Sequence, residues 1–147
     1  MKKRSQRMAL LQDLAQRKKR QADQFLADSQ ARVNQGEATL LQLEQFLSEY
    51  QQQFQQQGQA GIAVGQMLMA RAFVEKIEAS IRQHRETMKT NADQLEQVEQ
   101  YWRQVYGHQC AMNNLADRAL TQERAETEKQ LQKELDERSQ RVRPPFI

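Results

Sequence analysis

The chain has 147 residues, of which 38% are hydrophobic, 6% aromatic and 28% charged, and 27 are glutamine. That supplies enough apolar side chain for a narrow seam between helices and too little for a layered globular core. The net charge is a mild +3 concentrated at the start, where Lys2, Lys3, Arg4, Arg7, Arg17, Lys18, Lys19 and Arg20 face the single acid Asp13. Such a cluster suits nucleic acid, anionic lipid or an acidic protein surface alike.

The opening Met8-Ala9-Leu10-Leu11 is cut short by Gln12 and Asp13, so no signal peptide is expected, and no stretch approaches the roughly 20 apolar residues of a membrane span. Cys110 is the only cysteine. It cannot make an internal disulfide, which fits a reducing cytosol. A first helix is expected from about residue 5 to 57. Its apolar seam steps by threes and fours through Met8, Leu11, Ala15, Lys18, Ala22, Phe25, Ser29, Val33, Gly36, Leu40, Leu43, Leu47, Tyr50 and Phe54. Such steps keep side chains on one stripe and call for a partner helix. The glutamines around Phe54 are good helix formers interleaved with seam residues, so they read as a solvated helix face. Lys18 and Ser29 are polar seam positions that either fix the register or mark a poorly packed stretch. Gly36 either admits a close approach or kinks the helix.

A glycine-rich turn is expected over residues 58–65, followed by a second helix from about 66 to 141 and a tail over 142–147. The second seam runs Ala70, Phe73, Ile77, Ile81, His84, Met88, Asn91, Leu95, Val98, Trp102, Val105, Gln109, Met112, Ala116, Ala119. Folding the chain at the glycines sets Leu11 opposite Met112, Phe25 opposite Val98, Tyr50 opposite Phe73, Ala22 opposite Trp102 and Leu40 opposite His84. The paired numbers add to 123 or 124 throughout. A register error of one turn would shift that total by three or four, so the two seams fit each other. The expected fold is all-α, a long two-helix antiparallel coiled-coil hairpin forming a single domain over 1–147. Beyond about residue 119 the second helix runs out of partner and projects, with Leu131 and Leu135 as its apolar edge.

A two-stranded rod has no cleft in which catalytic groups could converge. His84 reads as a hydrogen-bonded packing residue. His108 and Cys110 lie two apart on a helix and point in different directions, so no metal or other cofactor is expected. A second apolar stripe flanks the seam near the turn, with Leu43, Phe46 and Tyr50 on the first helix and Phe73, Ile77, Ser80 and His84 on the second. Phe46 sits one position off the seam, where two helices can only half cover it. It is either a flanking packing residue or part of an aromatic patch for a partner protein.

Several pieces of the chain, in order around the glycine turn, resemble the flagellar FliJ family, a coiled-coil component of the flagellar type III export apparatus. They are Leu11-x-x-Leu14-Ala15, Leu40-x-x-Leu43-x-x-Phe46-x-x-Glu49-Tyr50, Gly58-x-x-Gly61-Ile62-Ala63, Phe73 with Gln83-His84, and Trp102-Arg103. The resemblance implies a non-enzymatic stalk or adaptor, cytoplasmic and peripheral at the inner face of the cell membrane, between a hexameric export ATPase, which it would stimulate, and the membrane export gate. It also implies an escort role toward export chaperones. The gate's cytoplasmic linker would bind Thr39, Leu43, Phe46, Tyr50, Phe73, Ile77, Ser80 and His84. This sequence departs from the family pattern at Thr39, Phe46 and Ser80. The ATPase ring would meet the basic start and the projecting helix, with Arg4, Arg7, Arg17, Lys18, Arg124, Lys129, Leu131 and Leu135 as candidates. Neither nucleic acid nor direct membrane insertion is expected. Two alternatives share part of the physics: a nucleic-acid-binding coiled coil using the basic start, which would need those basic residues to run into a dimerising zipper, and a stalk of a related injectisome or rotary ATPase.

Overall fold

The computed structural model describes residues 3–142. Two helices, α1 (Arg4–Ala60) and α2 (Val64–Arg141), are joined by residues 61–63 and fold into an all-α antiparallel hairpin with extensive contact between them. Both prolines, Pro144 and Pro145, lie beyond α2, and Gln, Ala, Leu, Glu and Arg dominate the rest, so nothing interrupts either helix. The expected tail falls outside the described residues apart from Val142.

The reversal is tighter than the glycine cluster. Gly58 still belongs to α1 and Gly65 already to α2. A glycine near an exposed helix end costs only about 1 kcal/mol relative to alanine, so the helices absorb both. Gly61 alone among the described residues takes a positive φ, +80°. An L side chain is crowded in that region, so this glycine makes the reversal possible. Its N–H donates to the Gly58 carbonyl at 3.3 Å, and the Ala63 carbonyl accepts from Gln66 and Met67 to start α2.

The described residues fall into two compact units: a turn-side unit, Asp23–Tyr101, and a terminal unit made of the residues up to Ala22 with those from Trp102 onward. In the turn-side unit the buried positions of α1 are Ser29 and Gly36, and those of α2 are Ile77 and Ile81. A methyl placed on Gly36 would meet Met88 Cγ at 3.3 Å, so this glycine serves close approach. Ser29 is only 2% exposed and its hydroxyl accepts from the Arg32 guanidinium at 3.2 Å. Between the two readings of that polar seam position, poor packing is therefore ruled out.

In the terminal unit the core is made of Ala15, Ala22, Val105, Ala116 and Ala119, with Ala22 0% exposed. Lys18 is exposed, as are Leu11 and Phe25 seven residues to either side, because the buried line of α1 runs through Ala15 and Ala22. The neighbouring Lys19 instead sets its ammonium 5.6 Å from the Trp102 ring, and Trp102 stacks on Tyr106 at 5.2 Å with the rings 4° from parallel. Pairing also extends past residue 119. Ser5 donates its backbone N–H and its hydroxyl to the Glu123 carboxylate at 3.0 and 2.6 Å, because a long side chain reaches back one turn beyond the last seam residue. Gln12 adds a second tie, donating to Asn113 at 2.8 Å.

Candidate partner-binding surface

The seven residues of the flanking stripe and Thr39 all lie in the turn-side unit, but not in equivalent surroundings. Phe46 and Phe73, from different helices, meet edge to face with centroids 6.3 Å apart, and Tyr50 packs on Phe73 at 4.8 Å. Phe46 remains 48% and Phe73 40% exposed, while Tyr50, Leu43 and Thr39 are half-buried and Ser80 is exposed. Ile77, one turn past Phe73 on α2, is buried and so adds nothing to the outer surface. His84 is half-buried, and its Nε2 lies 2.8 Å from the Gly36 carbonyl. One ring nitrogen is thus spent across the hairpin, which holds the imidazole against α1.

Aromatic rings clustered in this way bring large contact area at little entropic cost, which is why such side chains dominate binding hot spots. Toward the turn the same rings border an open cleft of about 750 Å³ lined by Tyr50, Phe73, Ile62, Met69, Ala70 and Lys76 among others. On the other side of the stripe Arg85 pairs with Glu44 at 2.8 Å. The seam pattern does not single out that pair, because neither residue is on a seam. The register does contain it: Glu44 follows Leu43 and Arg85 follows His84, so both charges fall beside the stripe.

The terminal unit holds the other candidates. Arg4, Arg7, Lys18, Arg124, Lys129, Leu131 and Leu135 are exposed, and Arg17 pairs with Asp13 at 3.1 Å on the surface. Residues 124–141 of α2 are exposed throughout. Leu10, Leu14 and Leu120 are also exposed, although no expectation rested on them. The signal was available, since Leu10 and Leu14 are four apart and off the seam. The Glu123 carboxyl is held below its ordinary range by the hydrogen bonds from Ser5, the hydroxyl first and then the backbone N–H. Among the described residues no group of three or more His, Cys, Asp or Glu is placed to hold a metal, and no helix is long and apolar enough to cross a membrane.

A family model described as "Flagellar FliJ protein" matches residues 4–142. The flagellar FliJ protein of Escherichia coli (strain K12) is 25% identical over 135 residues, covering 92% of this chain and 92% of its own length. No solved structure matches the chain.

Proposed function

Because the chain belongs to the flagellar FliJ family of non-enzymatic coiled-coil proteins, we propose that it is a stalk or adaptor of flagellar protein export that couples a hexameric export ATPase to the membrane export gate. It works in the cytoplasm at the inner face of the membrane and assists export chaperones. The observation that carries this reading is the half-exposed Phe46, Tyr50 and Phe73 cluster, assembled from both helices. Unlike the singly exposed Phe25, Phe46 and Phe73 stay 40% or more in water side by side, as a contiguous patch of the kind that marks interaction surfaces. The cluster and its neighbours Thr39, Leu43, Ser80 and His84 take the gate's cytoplasmic linker. The exposed basic residues Arg4, Arg7, Arg17 and Lys18, with Arg124, Lys129, Leu131 and Leu135 on the exposed part of α2, take the ATPase ring.

Capture of the purified gate cytoplasmic domain and of the ATPase hexamer tests both halves. Phe46→Ala with Tyr50→Ala should weaken gate capture by about tenfold or more, as loss of a hot spot does, with helix content and ATPase stimulation unchanged. Loss of helix content would make the rings structural and sink the gate assignment. A chain ending at Gln130 keeps the Ser5–Glu123 tie and should retain gate capture while losing ATPase stimulation. Full stimulation by that shortened chain would remove Leu131 and Leu135 from the ATPase contact.

A further inference from the structure

The hairpin turn has a property that neither the core nor the aromatic patch requires. From Gln51 through Ala70 there is no Asp, Glu, Lys, Arg or His, a run of 20 residues in a chain that is 28% charged. Inside this gap the start of α2 exposes Val64 (72%), Leu68 (62%) and Met69 (75%), with Met67 also exposed and Ile62 half-buried just before it. At about 100° per residue these four α2 side chains spread over roughly 200° of the helix circumference. A partner helix or groove covers one face of a helix, whereas a medium that receives the end of the hairpin covers all of them. The α1 side of the turn contributes Gln55, Gln56, Gln57 and Gln59, polar but uncharged.

Exposed apolar side chains gain by leaving water, and the missing charges remove the largest cost of doing so. The charges behind the gap follow a matching order. Moving back from Gly61, the first is the cation Arg71 on α2, ahead of Glu49 on α1 and of Glu75 and Lys76. From Val64 to Met69 the helix rises about 7.5 Å and to Arg71 about 10 Å. Interfacial helices bury their apolar side about 5–10 Å deep, and an arginine at the rim reaches phosphate with its stem in the apolar layer.

We propose that the hairpin turn dips into the headgroup and upper acyl layer of a lipid bilayer, with Val64, Met67, Leu68 and Met69 inserted and Arg71 at the phosphates. The contact is shallow, since no described helix could span, and it revises the expectation that nothing of the chain enters a membrane. It does not rest on the assignment of the aromatic patch.

Flotation of the full chain with phosphatidylcholine vesicles, with and without phosphatidylglycerol, tests it at physiological and high salt. Binding should occur on both vesicle types, persist at high salt, and fall about tenfold in Val64→Glu with Leu68→Glu, an acidic pair in the inserted segment. Arg17→Glu with Lys18→Glu should leave binding to the uncharged vesicles unchanged. In a Trp102→Phe chain, a Leu68→Trp reporter should be quenched by brominated acyl chains. Three results would overturn the proposal: no flotation with either vesicle, an unquenched reporter, or binding confined to anionic vesicles and abolished by salt or by the Arg17/Lys18 reversal, which would make the basic start the lipid contact. A Val64/Leu68 variant that floats normally but no longer captures the purified gate domain would also overturn it, making the turn a protein interface.

Discussion

The turn-side and terminal units solve the same packing problem with different side chains. In the turn-side unit α1 buries the small Ser29 and Gly36 and α2, at another level, buries Ile77 and Ile81; Gly36 admits Met88, and the big aromatic rings are left outside. In the terminal unit both helices bury alanines, Val105 being the one larger buried side chain, and the leucines at 10, 14 and 120 are left outside. Alanine removes little apolar area from water, so the terminal unit adds directional ties to its burial, Gln12 to Asn113 and Ser5 to Glu123, as the turn-side unit adds His84 to Gly36 and Arg85 to Glu44. Large-against-small packing and polar pinning are two ways to hold two helices in register. One chain uses both.

The largest expected effect that sharpens this contrast is Ile81→Ala, which opens a cavity in the turn-side unit and should cost about 2–4 kcal/mol by urea titration. Amide exchange should quicken within residues 23–101 far more than in the rest, and an even loss of protection along both helices would break the distinction. Next comes Ala119→Leu, where added volume between closely packed alanine faces should cost about 1–3 kcal/mol through overpacking. A gain in stability there would show that the terminal unit is loosely rather than tightly packed.

The smallest effect is local and depends on pH. Glu123 has a folded-state pKa below its ordinary value, so its contribution is present above the unfolded pKa and lost as pH falls through the depressed one. Amide protection factors at the first turn of α1, that is, exchange rates corrected for the intrinsic pH dependence, should therefore fall on acidification. In Glu123→Gln they should be low already at neutral pH and no longer respond to acid. An unchanged acid response in that variant would assign the fraying to another group.

The hairpin was legible because two-helix packing is nearly one-dimensional: a stripe and its register specify it, and Tyr50 on Phe73 and Gly36 beside Met88 are contacts of that register. Which seam residues are buried was less legible. Counting apolar steps favours large side chains, so Leu11 and Phe25 stand on the seam, yet both remain more than 40% exposed while Ala15, Ala22, Ser29 and Gly36 are buried. The glycine cluster located the turn but not its length, since glycine marks a bend only where φ must be positive, and Gly61 alone meets that condition. The stripe residues could be named from the sequence, but not the division of labour among them. That Ile77 is buried and that His84 is tied to Gly36 follow from burial and distance, neither of which a periodic pattern encodes.

The buried positions Ala15, Ala22, Ser29 and Gly36 recur every seven residues on α1, and all four are small. Two copies of α1 laid side by side would therefore set hollow against hollow, with no bulky knob to fill either. The spacing discourages α1 from zipping onto the α1 of another copy while leaving room at Gly36 for Met88 of α2. Partner choice is thus written into which helix is thin.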